Sequence, residues 1–109
     1  MPFLQAAGHR LEYALFDGRD PALVFLHEGL GSIRLWRGFP EQVARATGRR
    51  TLVYDRYGYG GSDVLAEPRV GVRFMHDEAL VALPEVLAAA AIEAPVLVGH
   101  SDGASIALI

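Results

Sequence analysis

The residues whose types and spacing most clearly indicate a reactive site are the five at positions 99–103, Gly-His-Ser-Asp-Gly. They follow the apolar run Pro95–Val98 and precede small and apolar residues that suit a helix. When a strand turns this sharply into a helix, the middle residue adopts a strained backbone conformation, and glycines on both sides remove side chains that would crowd it. We therefore predict that Ser101 presents its hydroxyl at the positive N-terminal end of a helix, where an anion can develop.

An ordinary glycine-rich turn with a capping serine is the competing interpretation of the Gly-x-Ser-x-Gly pattern. The apolar run directly before Gly99 favours the catalytic interpretation, because it supplies the strand that a nucleophile-presenting turn requires. Gly99 and Gly103 are then the residues that allow the turn to form. A serine hydroxyl is a weak nucleophile until an adjacent base takes its proton, so the partners of Ser101 decide the chemistry.

Four apolar runs predict the strands that position this turn. They are Leu11–Phe16, Ala22–Leu26, Thr51–Tyr54 and Pro95–Val98. The last three contain few polar residues, which is typical of strands buried on both faces of a parallel sheet. The first run follows a turn at Gly8 and ends at Asp17-Gly18, a dipeptide that predicts a hairpin.

Two segments between the later strands predict helices. Phe39–Gly48 has Pro40 in its first turn and Gly48 just past its end. Met75–Ala91 carries an apolar stripe at helical spacing, and Pro84 should kink it. The stripe consists of Ala79, Leu80, Leu83, Val86, Leu87 and Ala90. Because strands and helices alternate, we predict an α/β fold with a mainly parallel sheet flanked by helices.

Composition narrows the class of protein. A chain of 109 residues has room for one small domain, and 51% hydrophobic residues can form a core. Ten basic and thirteen acidic residues give a net charge of −3, which disfavours nucleic acid as a partner. The sequence has no cysteine, no signal-peptide pattern at Met1–Ala6 and no apolar run long enough to span a bilayer. We expect a cytoplasmic protein with no membrane partner and, since its histidines and carboxylates lack ligand spacing, no metal.

Three segments together resemble the α/β-hydrolase fold superfamily. Leu26–Ser32, followed by Trp36, is similar to the His-Gly-containing oxyanion loop after that family's third strand. Tyr54–Asp63 is similar to its Asp-Arg-x-Gly-x-Gly-x-Ser-Asp turn, and positions 99–103 to its nucleophile elbow. The resemblance extends from about Leu11 to the last residue. It implies that the chain is the N-terminal part of such a fold.

The resemblance also assigns roles. It implies that Ser101 is the nucleophile and that the backbone N–H groups of Asp102 and Gly29 form the oxyanion hole. Glu28 departs from the family pattern, because glycine normally occupies that position. A carboxylate aimed at an oxyanion would repel it, so we expect the Glu28 side chain to face a helix N-terminus or solvent.

The four histidines are interpreted as structural. His100 should project away from Ser101 and be packed and hydrogen-bonded, and His27 should brace the oxyanion loop. His76 is expected at the surface or in a helix cap, and nothing points to chemistry at His9. Trp36 and Phe39 each have two possible roles. They could line a substrate pocket, or they could anchor the loop from the core.

The residues after Ser101 cannot complete a catalytic triad. In this fold the order is Ser, then Asp or Glu, then His. Eight residues follow Ser101, and none of them is His, Glu or an Asp other than Asp102. We therefore predict that residues 1–109 form a partial domain without the acid, the base, the later strands and the cap. The strand Pro95–Val98 would be left at an apolar edge, which invites either a complementing C-terminal polypeptide or self-association.

The predicted function is that of a fragment of a serine-nucleophile hydrolase. The full enzyme would attack small-molecule ester-like or related acyl substrates without a cofactor, whereas the isolated chain should be inactive. Two alternatives remain open. The chain could be a non-catalytic partner or relic module, or the N-terminal half of a cofactor-free haloperoxidase or acyltransferase of the same fold.

Overall fold

The computed structural model describes residues 2–29, 31–65 and 73–109. In these ranges a five-stranded sheet has the order β1-β2-β4-β3-β5. β3 pairs in parallel with both β4 and β5, whereas β2 runs antiparallel to β4 and to β1. The strands are β1 Phe3–Ala6, β2 His9–Phe16, β3 Arg19–Leu26, β4 Arg49–Tyr54 and β5 Val96–Gly99. The four predicted strands are confirmed as β2 to β5.

The first strand was not predicted. β1 has only four residues and pairs with β2 through a tight turn at Ala7-Gly8, where both residues have positive φ, 51° and 79°. Such a turn matches the twist of an antiparallel pair. Gln5 interrupts the apolar pattern of this short segment, so the local sequence gives little signal for a strand.

The predicted hairpin at Asp17-Gly18 is wrong. β2 and β3 do not pair with each other, because both pair with β4, which lies between them. Glycine is needed at position 18 for a different reason. A Cβ there would lie 2.3 Å from the carbonyl carbon of Arg49, so the chain passes directly against the start of β4.

The predicted helix after β3 is confirmed. α1 spans Phe39–Thr47, with Pro40 in the first turn. Gly48 ends it with φ 65°, and its N–H donates to the carbonyl of Ala44. The other helical segments are a 3₁₀ turn at Arg34–Trp36, α2 Arg73–Asp77, a π-helical turn Glu78–Ala82, α3 Leu83–Ala89 and α4 Asp102–Leu108. None of these helices has the length and apolar character that crossing a membrane requires.

A π-helical turn accommodates Pro84. The N–H of Leu83 donates to the carbonyl of Glu78, five residues earlier, so the helix is widened just before the proline ring. The widening changes which residues of the turn itself face the core. Leu80, which lies within the turn and which the predicted apolar stripe includes, is 57% exposed, whereas Ala82 is buried.

The sheet separates two apolar layers. Val24 and Leu52 pack with the segment 79–92 and with Ile106 of α4, whereas Phe25 and Val53 face Trp36 and α1. Alternate residues of β3 and β4 thus enter opposite layers, as the two-residue period of a strand requires. The site-bearing turn follows β5, which forms one edge of the described sheet.

Candidate active site

Ser101 occupies the tight connection between β5 and α4. Its backbone angles are φ 57° and ψ −119°, a combination that L-residues adopt only under strain. The residue is exposed, and its carbonyl accepts hydrogen bonds from the N–H groups of Ala104 (3.0 Å) and Ser105 (3.3 Å). The helix begins at Asp102, directly after the serine. The turn therefore holds the Ser101 hydroxyl at the N-terminal end of α4, with the backbone angles that such turns need.

Gly99 and Gly103 permit close backbone contacts on both sides of Ser101. A Cβ on Gly99 would lie 2.5 Å from the carbonyl oxygen of Gly103. A Cβ on Gly103 would lie 2.2 Å from the carbonyl oxygen of Leu26, at the end of β3. No side chain fits at these separations, so glycine at both positions is a steric requirement of the turn.

The loop after β3 lies against the turn. The N–H of His100 donates to the carbonyl of Leu26 at 3.1 Å, and a Cβ on Gly29 would lie 3.0 Å from Oδ2 of Asp102. Within residues 2–29, 31–65 and 73–109, the N–H groups of Gly29 and Asp102 donate to no protein acceptor. Leu30, between Gly29 and Gly31 of the predicted oxyanion loop, lies outside the described residues. The arrangement brings two available amides to the same side of the fold as Ser101.

A buried arginine joins the loop to the turn. The side chain of Arg56, only 1% exposed, places Nη2 2.9 Å from Oδ1 of Asp102. The same nitrogen donates to the carbonyls of His27 (3.0 Å) and Glu28 (3.2 Å). Its guanidinium carbon lies 5.1 Å from the centre of the Tyr59 ring. One cation thus contacts the residue after the serine and the two residues before Gly29.

His27 is held by both ring nitrogens. Nε2 accepts a hydrogen bond from the backbone N–H of Arg56 at 3.0 Å, which leaves the proton on Nδ1. Nδ1 then donates to the carbonyl of Glu28 at 2.7 Å. The ring is 1% exposed. This geometry assigns His27 a bracing position in the loop and leaves neither nitrogen free to take a proton from Ser101.

Asp55 links the far end of the same loop to the glycine turn after β4. Its Oδ1 accepts from the N–H of Ile33 at 2.6 Å, and Oδ2 accepts from the N–H of Gly61 at 2.8 Å. The residue is fully buried. Asp63 also bonds a backbone amide, since its Oδ2 accepts from the N–H of Arg10 at 2.8 Å. Of the three amides that these carboxylates bind, only that of Gly61 is close in sequence.

Glu28 faces His100. Its Oε2 lies 3.7 Å from Nδ1 of His100, and the two side chains are 43% and 64% exposed. The expectation that His100 is packed is therefore wrong: the turn that strains Ser101 swings the preceding side chain toward solvent. Glu28 is half-exposed as predicted, although its neighbour is a histidine and not a helix N-terminus.

An open cavity of about 340 Å³ lies beside this pair. Trp36 and Phe39 line it, and both also pack edge-on against Phe25, with ring centres 5.2 and 6.0 Å away. Both interpretations of these aromatic residues therefore apply: they line a cavity and they also pack against the core. The remaining lining residues are His27, Glu28, Gly31, Ser32, Leu35 and His100.

The other two histidines lie elsewhere. His9 stacks on Tyr57 with ring centres 3.6 Å apart, and His76 belongs to α2. A buried polar pair lies below the sheet, where the hydroxyl of Tyr54 donates to Oε2 of Glu78 at 2.6 Å. Burial, followed by the nearby Glu78 charge, raises the pKa of Tyr54 well above 10.0.

Sequence reasoning gave no role to Arg56 or to Glu12. Glu12 is buried in β2, and its Oε1 lies 3.0 Å from Nη1 of Arg34 in the loop after β3. The available signal was a charged residue within or directly after an apolar strand, since such charges are rarely buried without partners. No group of three or more metal-ligating side chains occurs in the part of the chain that the structure describes.

Comparison with known proteins agrees with this architecture. Residues 21–109 match the family described as alpha/beta hydrolase fold. The chain belongs to the α/β-hydrolase fold family. The matched range contains β4, β5 and most of β3, together with the turn at Ser101.

Individual relatives are hydrolases of different kinds. The chain is 33% identical over 101 residues to the sn-1-specific diacylglycerol lipase ABHD11 of Mus musculus, which covers 91% of this chain and 31% of the lipase. It is 32% identical over 112 residues to a proline iminopeptidase of Lactobacillus helveticus, covering all of this chain and 36% of the peptidase. An α/β-hydrolase fold protein from Burkholderia ambifaria superposes with a TM-score of 0.79 and 25% identity, over 98% of this chain and 37% of that one. The chain therefore spans about a third of the length of these relatives.

Proposed function

We propose that this chain supplies the nucleophile and the oxyanion-binding part of a serine hydrolase that acts on ester-like acyl substrates. The observation that carries the proposal is the strained backbone of Ser101 at the start of α4. Strain of about 1–3 kcal/mol per residue persists where the surrounding structure enforces it, and it concentrates at functional sites. The contacts through Gly99 and Gly103 are what enforce it here.

The reaction follows from this placement. The Ser101 oxygen attacks the carbonyl carbon of the substrate, and the electron pair of the C=O bond moves onto the carbonyl oxygen. The N–H groups of Asp102 and Gly29 donate to that oxyanion, and the dipole of α4 adds to its stabilisation. Collapse of the intermediate expels the leaving group and leaves an acyl-serine. Water then attacks the acyl carbon and releases the acid and the free serine.

A base must accept the serine proton during the attack. His27 is unsuited, because its nitrogens contact the carbonyl of Glu28 and the N–H of Arg56. His100 is turned toward Glu28, and His9 is stacked on Tyr57. We propose that the base and the acid that orients it come from polypeptide outside these 109 residues. The length of the relatives, about three times that of the chain, supports this proposal.

The cavity beside the loop supports an apolar acyl group as the substrate portion bound by this chain. Aromatic faces of Trp36 and Phe39 line it, and such surfaces favour apolar ligand groups. Among the relatives are a lipase and a peptidase, which differ in their substrates. The bond that is cleaved is therefore assigned only to the class of small-molecule acyl compounds.

Labelling with a fluorophosphonate tests the proposal. The reagent phosphonylates an activated serine, so we expect labelling of Ser101 when a C-terminal polypeptide encoded downstream is supplied, and little without it. Ser101→Ala should abolish the label, whereas Ser105→Ala, at an exposed position of α4, should not. Absence of labelling in both preparations would contradict the catalytic proposal and favour a non-catalytic module that retains the turn.

A further inference from the structure

Arg56 occupies a position that the proposed reaction does not yet use. It is 1% exposed, and burial of a guanidinium is costly unless partners compensate its charge. Nη2 has three such partners, the carboxylate of Asp102 and the carbonyls of His27 and Glu28. In the described part of the chain, Nε and Nη1 have no hydrogen-bond partner. The side chain is thus organised around one nitrogen that touches both halves of the proposed oxyanion site.

The carboxylate that Arg56 binds lies at an unfavourable place for the chemistry. Asp102 donates its amide to the proposed oxyanion, and its Oδ2 lies 3.0 Å from the Cβ position of Gly29, the other proposed donor. The Asp102 side chain is only 19% exposed, so water screens its charge poorly. Without a counter-charge, this carboxylate would oppose the negative charge that develops on the substrate oxygen.

We propose that Arg56 is a positioning residue that neutralises Asp102 and fixes the loop bearing Gly29, so that both amides can stabilise an oxyanion. The proposal rests on the proposed function of Ser101 and assigns the two effects to one nitrogen. The contact at 2.9 Å cancels the carboxylate charge, and the contacts at 3.0 and 3.2 Å hold the backbone immediately before Gly29. Arg56 touches no reacting atom in this role.

A double-mutant cycle tests the electrostatic half. The rate of Ser101 labelling by a fluorophosphonate is compared in wild type, Arg56→Met, Asp102→Asn and the double variant, with the complementing C-terminal polypeptide present. Arg56→Met should slow labelling roughly tenfold or more, because it leaves a bare carboxylate beside both donors. Asp102→Asn removes the charge but keeps the backbone amide, so its labelling rate is the reference for the double variant. The double variant should recover several-fold over Arg56→Met, because the opposing charge is gone.

Arg50→Met is the matched control. Arg50 lies in β4 and, like Arg56, donates to backbone carbonyls, since its Nη1 lies 2.9 Å from the carbonyl oxygen of Ala91. Its hydrogen bonds within the described residues reach neither the turn nor the loop. This variant should label like wild type. An Arg56→Met rate within about twofold of wild type, or a double variant no faster than Arg56→Met, would overturn the electrostatic role.

Amide hydrogen exchange tests the loop half on the chain itself, independently of labelling. The N–H of Gly31 donates to the Glu28 carbonyl at 2.9 Å, so its exchange reports whether the loop is held. Arg56→Met should accelerate exchange at Gly31 while Leu52 in β4 remains protected, and Arg56→Lys should give an intermediate rate. Unchanged exchange at Gly31 would overturn this half. If Arg56→Met also loses protection at Leu52, the variant is destabilised throughout, and the proposal is then tested with Arg56→Lys. Ser101 in Arg56→Lys should be labelled more slowly than in wild type, and a wild-type labelling rate would contradict the proposal.

If wild type itself shows no Ser101 labelling, the proposed function fails. The exchange measurement then still decides whether Arg56 holds the loop. Failure of the function and failure of the inference therefore give different results.

Discussion

The carboxylate of Asp55 holds the backbone N–H of Ile33 at 2.6 Å from its Oδ1, although 22 positions separate the two residues in the sequence. Its other oxygen accepts from Gly61 at 2.8 Å. Both acceptors are buried, so the loop after β3 and the turn after β4 share one anchor. Loss of that anchor should lower the free energy of unfolding and loosen the loop that bears Gly29.

Asp55→Asn is expected to lower the free energy of unfolding by about 1–3 kcal/mol, because the amide offers one acceptor oxygen to two N–H donors at a buried side chain. Urea titration followed by circular dichroism measures the change. Asp63→Asn is the control, since the Asp63 side chain is 42% exposed and water can replace its lost contact. Equal losses in the two variants would contradict the anchoring role of Asp55.

Gly103→Ala should destabilise the fold by about 1–3 kcal/mol through overpacking against the end of β3. The added methyl would lie 2.2 Å from the carbonyl oxygen of Leu26, which belongs to the backbone and cannot move alone. Unfolding in urea gives the magnitude. Ser105→Ala, on the exposed side of the same helix, should leave stability within about 0.5 kcal/mol of wild type. A Gly103→Ala protein as stable as wild type would show that the turn can open without cost.

Ser101→Gly should be more stable than Ser101→Ala by roughly 1 kcal/mol, even though both variants lack the hydroxyl. Glycine tolerates φ 57° and ψ −119°, whereas alanine keeps the strain of the wild-type backbone. The flexibility of glycine in the unfolded chain offsets part of this gain. Parallel urea titrations of the two variants measure it. The reverse order of stability would mean that the backbone at position 101 is relaxed.

The Tyr54–Glu78 pair makes stability depend on alkaline pH. Burial, then the charge of Glu78, raises the pKa of Tyr54 in the folded protein above its unfolded value near 10.0. Below pH 10 both states carry the proton and the contribution is complete. Above pH 10 the unfolded state loses its proton first, so the free energy of unfolding should fall with rising pH.

Tyr54→Phe should flatten that decline, because phenylalanine has no proton to lose. At neutral pH the variant should be less stable by about 1–2 kcal/mol, since it removes the 2.6 Å hydrogen bond to Glu78. Urea titrations at several pH values between 8 and 11 provide both results. Tyr13→Phe, at a residue that is not fully buried, serves as the comparison. If the free energy of unfolding of the Tyr54→Phe variant fell with pH at the wild-type slope, groups other than Tyr54 would be responsible for the decline.

Local signals in the sequence predicted the elements that local chemistry determines. Pro40 and Gly48 delimit α1 because one lacks an N–H and the other tolerates positive φ. The glycines around Ser101 likewise mark a turn that few other residues could make. In both cases the local backbone geometry requires a particular residue type, and that residue is found at the position concerned.

Features set by distant partners could not be predicted in this way. Asp17-Gly18 has hairpin chemistry, yet its glycine serves a close passage past Arg49, more than thirty positions away. The widened turn before Pro84 changes which residues of that helix face the core, so the periodic stripe misplaced Leu80. The buried position of Arg56 depends on Asp102 and on two carbonyls of another strand's loop, none of which is a neighbour in sequence.

The pairing of β3 with β5 sets Leu26 opposite Gly99, and the next hydrogen bond, from His100 to Leu26, continues that ladder into the turn. A slip of one residue along this ladder would translate the serine by about 3.3 Å, whereas reactions of this kind are sensitive to errors near 1 Å. The pairing of β3 with β5 therefore fixes the position of the proposed nucleophile. Substitutions in the middle of β3, far from the turn, can displace Ser101 by changing the alignment of the two strands.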